Sequence, residues 1–194
     1  MTSRSGTSGG PTDPELVARI IAGDGAAFSA LVERYQDRLY NAVYRLVGSA
    51  EDARDLLQDT FVKAYENLGT FRGGSSLYTW LFRIAVNTSL SHRRKRKWLQ
   101  VGSGGDGDDP APAPDAAAQD PSDRLVAAET EALVQQALDS LDDDHRTVVV
   151  LRDIQHCDYH EIAEILEVPT GTVKSRLHRA RLTLRDRLKP LLKC

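Results

Sequence analysis

Residues 158–189 read DYHEIAEILEVPTGTVKSRLHRARLTLRDRLK, and this stretch decides the fold of the second half of the chain. Asp158 can cap a short helix, with Glu161 three residues on in a capping-box arrangement. Ile162, Ile165 and Leu166 give that helix an apolar face. Glu167-Val-Pro-Thr is a tight connection in which Pro169 is tolerated at or just before a helix start. The next helix runs from about Thr170 past Lys189. On a wheel of about 100° per residue, Val173, Leu177, Ala180, Leu184 and Leu188 fall within about 80° of one another and mark the core-facing side. Lys174, Ser175, His178, Arg179 and Arg181 take the other side, spread over about 160°. A short helix, a tight turn and a long helix with a basic outer face make a helix-turn-helix, whose second helix enters the major groove. A merely solvated face mixes signs, and this helix is almost without acidic residues.

The total charge of −3 by itself argues against a DNA binder, but the distribution of charge argues for one. Lys and Arg stand against Asp and Glu at 14 to 10 in residues 1–98, 0 to 6 in 99–123, 3 to 11 in 124–167, and 8 to 1 in 168–194. The near balance hides a basic C-terminal helix and a second basic cluster at Arg93–Lys97. Local stripes, and not the total, make an electrostatic footprint for phosphate.

Upstream, Asp13 to about Trp98 is dense in helix formers with apolar residues at helical spacing: Leu31, Tyr35, Leu39 and Val43 form one row, and Leu56, Val62, Ala64 and Tyr65 contribute to another. Ser49 followed by Ala-Glu-Asp opens a helix with a cap and first-turn carboxylates. Gly69, Gly73 and Gly74 break the pattern before a further helix starts near Ser75 or Ser76. Beyond Arg124, Leu125, Leu133, Ala137, Leu138 and Leu141 suit one amphipathic helix, and Val148 to Ile154 begin the next. No strand alternation is convincing. The expected fold is all-α: a disordered tail over 1–12, a helical domain over 13–98, a flexible acidic linker over 99–123 and a second helical domain over 124–194.

Several function classes fall away. Gly102-Ser-Gly104-Gly-Asp-Gly107 matches a dinucleotide fingerprint by letter only, because no strand precedes it and Pro110, Pro112 and Pro114 follow where a helix must open. No nucleophile with an ordered base and no metal-ligand cluster is present, so an enzyme, a cofactor or a bound metal is not expected. His156, Cys157 and His160 are three candidate ligands without a second cluster, too few for a metal site. No run of 18 apolar residues and no hydrophobic signal core occur, and the chain has two cysteines, so the expectation is a cytoplasmic protein without membrane insertion.

A helix-turn-helix alone permits many regulators, and the N-terminal half separates them. AEDARDLLQDTFVKAYENLGTFRGGSSLYTWLFRIAVNTSLSHRRKRK, residues 50–97, closely resembles region 2 of the extracytoplasmic-function sigma factors, and EIAEILEVPTGTVKSRLHRAR resembles their region 4. The resemblance covers about residues 13–98 and 124–190. It implies a partner in core RNA polymerase, docked through exposed residues of the 51–68 helix that include Asp55, Gln58, Asp59 and Lys63. It also implies recognition of promoter DNA. Phe71–Trp80 resembles the loop that captures a flipped base of the −10 element. There Phe71, Tyr78 and Trp80 offer stacking surfaces and Gly73, Gly74, Ser75 and Ser76 allow close backbone approach, although Trp80 shares a helix face with Leu77, Ile84 and Thr88 and suits core packing. Arg83, Asn87 and Arg94 lie on one flank of the following helix, Asn87 at a base-reading position, with Arg93–Lys97 holding phosphates. Lys174, Ser175, His178 and Arg179, with Arg181 on the same side, face the −35 element. The family also implies an anti-sigma protein that wedges between the domains. The rival reading is a two-domain helix-turn-helix regulator without initiation activity, which leaves Phe71–Lys97 unexplained.

Overall fold

The computed structural model describes residues 10–102 and 121–189, with side chains for 10–99 and 129–189. Within them the chain is helical and has no strand: α1 (Asp13–Ile21), α2 (Gly25–Val47), α3 (Ala50–Asn67), α4 (Leu77–Gly102), α5 (Pro121–Asp139), α6 (Asp143–Val149), α7 (Tyr159–Leu166) and α8 (Thr170–Leu188). Both helices beside the linker reach into the span expected to be extended, since α4 runs on to Gly102 and α5 begins at Pro121. Most of the tail and of the linker, the fingerprint-like glycines beyond Gly102 included, lies outside the described residues.

Local chemistry explains the boundaries. Asp24 caps α2 by accepting from the Ala26 and Ala27 amides, and α2 ends on Gly48 in the left-handed region at φ 79°. The Ser49 hydroxyl accepts from the Asp52 amide and opens α3. Asp158 caps α7 and Glu161 reaches back to the Asp158 amide, the expected capping box. A single π turn, Val150–Ile154, ends the α6 segment, which starts before Val148 because Asp142 caps it. His156 then takes φ 58°, a conformation glycine adopts without strain.

The apolar rows pack largely as read. Leu31, Leu39 and Val43 of α2 are fully buried, as are Val173, Leu177 and Ala180 of α8. Three assignments are corrected. Val62 is 51% exposed and Tyr65 55%, because the buried stripe of α3 runs through Ala53, Leu56, Thr60 and Ala64 and leaves Val62 on the far side. Tyr65 covers only its edge, against Phe28 at 4.9 Å between ring centroids. On α5, Leu133 is exposed while Gln135, Ala137 and Leu138 turn inward. The Leu125 side chain lies outside the described residues.

The two helical units share one hydrophobic core. The seam runs from α4 against α7 to α2 against α5, α6 and the π turn. Arg38 of α2 lies over the Tyr78 ring at 4.3 Å and donates to the Gln155 carbonyl at 3.1 Å. Arg45 pairs with Glu131 at 2.6 Å. Arg146 is 1% exposed and donates to the carbonyls of Leu138, Leu46 and Leu141 at 2.8, 3.0 and 3.2 Å. The Leu46 carbonyl belongs to the last turn of α2, whose dipole favours a cation there.

Candidate nucleic-acid interface

The first face begins at the loop between α3 and α4. Gly73 adopts φ 71°, and a side chain there would meet open space, so the backbone is bare on that side. The Ser76 hydroxyl accepts from the Thr79 amide at 3.0 Å and so starts α4, while Ser75 is half-buried. Phe71 leans on Trp80 at 5.5 Å between centroids. Trp80, expected in the core, is half-buried and walls a surface cavity of about 420 Å³, with Ile84 beside it. The polar lining is Lys63, Asn67, Thr70, Asn87, Thr88 and Ser91. Amide, hydroxyl and ammonium groups around an indole provide a stacking wall and donors and acceptors for one planar heterocycle. Asn87 is exposed at the rim. Lys63, grouped by sequence with the polymerase-facing residues, donates to Thr88 Oγ1 at 3.2 Å and lines this cavity. Asp55, Gln58 and Asp59 stay together on the exposed face of α3, with Val62 and Tyr65 adding apolar surface to that helix.

The cations of α4 divide into two sets. Arg94 is exposed and makes only long contacts to its own helix, at 3.4 Å to the Leu90 carbonyl and to Ser91. Arg83 is engaged across the seam, donating twice to the Glu164 carbonyl at 3.1 and 2.7 Å, with Glu167 at 3.5 Å. Arg93 donates to Asp143 at 2.8 Å and to the Leu46 carbonyl at 2.8 Å, and Lys97 holds the other Asp143 oxygen at 2.9 Å. Burial alone would raise the Asp143 carboxyl, but Lys97 and Arg93 more than offset it and hold it below the usual aspartate range. Neither Asp143 nor Arg146 stands out in the sequence, because neither position carries a local signal of its distant partner.

The second face is α8. Lys174, Ser175, His178 and Arg179 are exposed side by side, opposite buried Val173, Leu177 and Ala180. Arg181 is also exposed but is paired with Asp153 of the π turn, which places it at the edge of the face. Arg176 is paired with Asp144. His156, Cys157 and His160 do not converge. Cys157 is 2% exposed with its sulfur 3.3 Å from the Tyr78 hydroxyl, and no group of His, Cys, Asp and Glu among the described residues could hold a metal ion. No helix among the described residues is long and apolar enough to cross a membrane.

A helical unit with a nucleotide-sized polar cavity, followed by a helix-turn-helix unit with a basic recognition helix, defines a two-part DNA-binding protein of the promoter-recognising kind. Residues 31–99 match the family model for Sigma-70 region 2, and residues 131–184 match that for Sigma-70, region 4. The chain is 39% identical over 185 residues to the RNA polymerase sigma-H factor of Pseudomonas aeruginosa, covering 93% of this chain and 96% of that protein. It is 37% identical over 186 residues to the ECF RNA polymerase sigma-E factor of Escherichia coli, covering 94% and 97%. Among solved structures it is similar to CnrH in complex with the cytosolic domain of CnrY (TM-score 0.67, 28% identity, 90% of this chain and 96% of that one). It is also similar to the sigma factor RpoE in complex with the anti-sigma factor NepR from Bartonella quintana (TM-score 0.67, 29% identity, 84% and 96%). The chain therefore belongs to the sigma-70 family, as one of its extracytoplasmic-function sigma factors.

Proposed function

We propose that this chain docks on core RNA polymerase and directs promoter-specific transcription initiation in the cytoplasm, reading a −10 element with α4 and its cavity and a −35 element with α8. Sigma factors are initiation factors and not enzymes. The observation that carries the reading is that two DNA-competent faces of different design share one chain. The cavity beside Trp80 and Asn87 suits an unstacked base and has no use on an intact duplex, whereas α8 suits a major groove. Lys63 belongs to the cavity, and Asp55, Gln58 and Asp59, with Val62 and Tyr65, to the surface that meets polymerase. Phe71 and Ser75 border the flipped base, Ser76 fixes the start of α4, and Arg94 supplies phosphate contact without reading sequence. Lys174, Ser175, His178 and Arg179 meet the −35 bases and phosphates, with Arg181 at the margin. An anti-sigma protein of the kind named with the RpoE structure is a further expected partner.

The rival regulator needs no cavity for an unstacked base, and nothing in the structure favours it. Run-off transcription by core polymerase, with and without the chain, on promoters mapped by transcript-start sequencing after overexpression, tests the proposal. Start-site-specific transcripts that require the chain support it. Tight duplex binding by the free chain with no added initiation refutes it.

A further inference from the structure

Trp98 is 76% exposed, more than any other large apolar side chain among the described residues. A single exposed apolar residue signals little by itself, and what distinguishes this one is its place on α4. On a wheel of about 100° per residue, Trp80, Asn87, Ser91, Arg94 and Trp98 fall within about 60° of one another. Trp80 and Trp98 share one line along the helix, eighteen positions apart, which is about five turns and about 27 Å of axis. Between the two indoles that line carries Asn87 at the cavity rim and then Ser91, both exposed. Arg94 and Lys95, also exposed, flank Trp98 on either side. Over residues 77–102 α4 holds six Arg and Lys and no Asp or Glu. The carboxylates that its neighbours bring lie about 100–160° round the helix from Trp98: Asp52 pairs with His92 and Arg96, and Asp143 with Arg93 and Lys97. An apolar ring between two exposed cations suits a polyanion that carries aromatic rings, and its line leads back to the cavity.

We infer that Trp98 is a second stacking station on promoter DNA, taking the face of another unpaired base of the strand whose flipped base enters the Trp80 cavity. This rests on the reading of α4 as the −10 face. The indole lies eleven positions beyond Asn87, about 16 Å along the axis. That distance spans about five steps of a stacked strand at about 3.4 Å each, and fewer of a stretched one. Arg94 and Lys95 hold the phosphates on either side of the stacked base. Every base offers a π face, so this station adds grip without choosing sequence, whereas the Asn87 amide chooses.

The test uses holoenzyme assembled from core polymerase and the full chain, on promoter fragments in which one non-template nucleotide at a time is abasic, across the −10 element and its flanks. The half-life of competitor-resistant complexes is the readout. Trp98→Ala is expected to shorten it about five- to thirtyfold on intact DNA, at unchanged helical ellipticity. Trp98→Phe is expected to restore most of it, because a phenyl ring still stacks. At one position, about three to six nucleotides from the one where Asn87→Ala couples, an abasic site costs wild type the same factor and costs Trp98→Ala nothing further. Exchanging the base there for any other leaves wild type within about twofold. A Trp98→Ala half-life within about twofold of wild type overturns the station. So does a defect that adds uniformly at every abasic position, which places the indole against protein. Asn87→Ala separates this outcome from the reading beneath it. A coupled position for Asn87 alone overturns only the station at Trp98, and no coupled position for either residue refutes α4 as the DNA face.

Discussion

Replacing Arg146 by alanine is expected to destabilise the chain by about 4 kcal/mol, and the figure follows from the geometry. The guanidinium is 1% exposed and makes three hydrogen bonds to carbonyls, two at the α5 end and one at the α2 end. Hydrogen bonds from a charged donor contribute about 1.5–3 kcal/mol each, so the gross loss is about 5–9 kcal/mol. Against that stands the cost of keeping the charge buried. Burial first, and then the neighbouring Arg93, push the Arg146 pKa down to about 10, equivalent to about 3 kcal/mol working against the native state. The balance, about 2–6 kcal/mol, agrees with the usual cost of about 3–5 kcal/mol for breaking a buried charged pair. Urea titration followed by circular dichroism measures it, with an expected fall in midpoint of about 1.5 M at an m-value near 2.5 kcal/mol per M. Arg146→Met separates charge from volume: it refills the space but removes three bonds. The Leu46 carbonyl keeps Arg93 and the Leu138 carbonyl keeps the Leu141 amide, but the Leu141 carbonyl loses this donor, so the variant is expected to stay about 2 kcal/mol below wild type. A methionine variant as stable as wild type, or more so, refutes the reasoning and makes the arginine a net burden.

Other substitutions separate the two faces and the turn between them. Asn87→Ala is expected to relax preference at one −10 position and slow open-complex formation, and Arg179→Ala to weaken −35 recognition. Each should cost about 1–3 kcal/mol in holoenzyme footprinting, and unchanged opening in Asn87→Ala counts against the cavity as a base pocket. His156→Gly is expected to raise stability by about 1 kcal/mol in the same urea assay, since φ 58° strains any side chain; a loss would mean that the imidazole makes a compensating contact. With Cys194 replaced by serine, Cys157 is expected to react with iodoacetamide at pH 8 at least about a hundredfold slower than an exposed thiol. Burial pushes that thiol's pKa up despite its contact with Tyr78. Rapid alkylation would show that the seam opens freely.

The helices and their chemistry are legible from the order of residues. Helical spacing places Val173, Leu177 and Ala180 inward and Lys174, His178 and Arg179 outward, because one helix face is a local property of period and polarity. Asp158 with Glu161, and Ser49 with Asp52, are recognisable as caps because each bond spans only three residues. The turn at Gln155–Asp158 becomes intelligible only with the backbone, where His156 stands in a left-handed conformation that its sequence neighbours do not announce. Which neighbour covers each face is a matter of helix docking. Val62, Tyr65 and Leu133 carry apolar side chains at helical spacing, yet no element packs fully over them. Arg146 looks like a surface arginine until three carbonyls from two units surround it. Arg83 and Arg93 read identically to exposed Arg94, and only the fold sets them against groups 81 and 50 residues away. Pairings at that separation leave no periodic trace in a sequence, because they depend on how whole helices dock and not on the order of residues within any one of them.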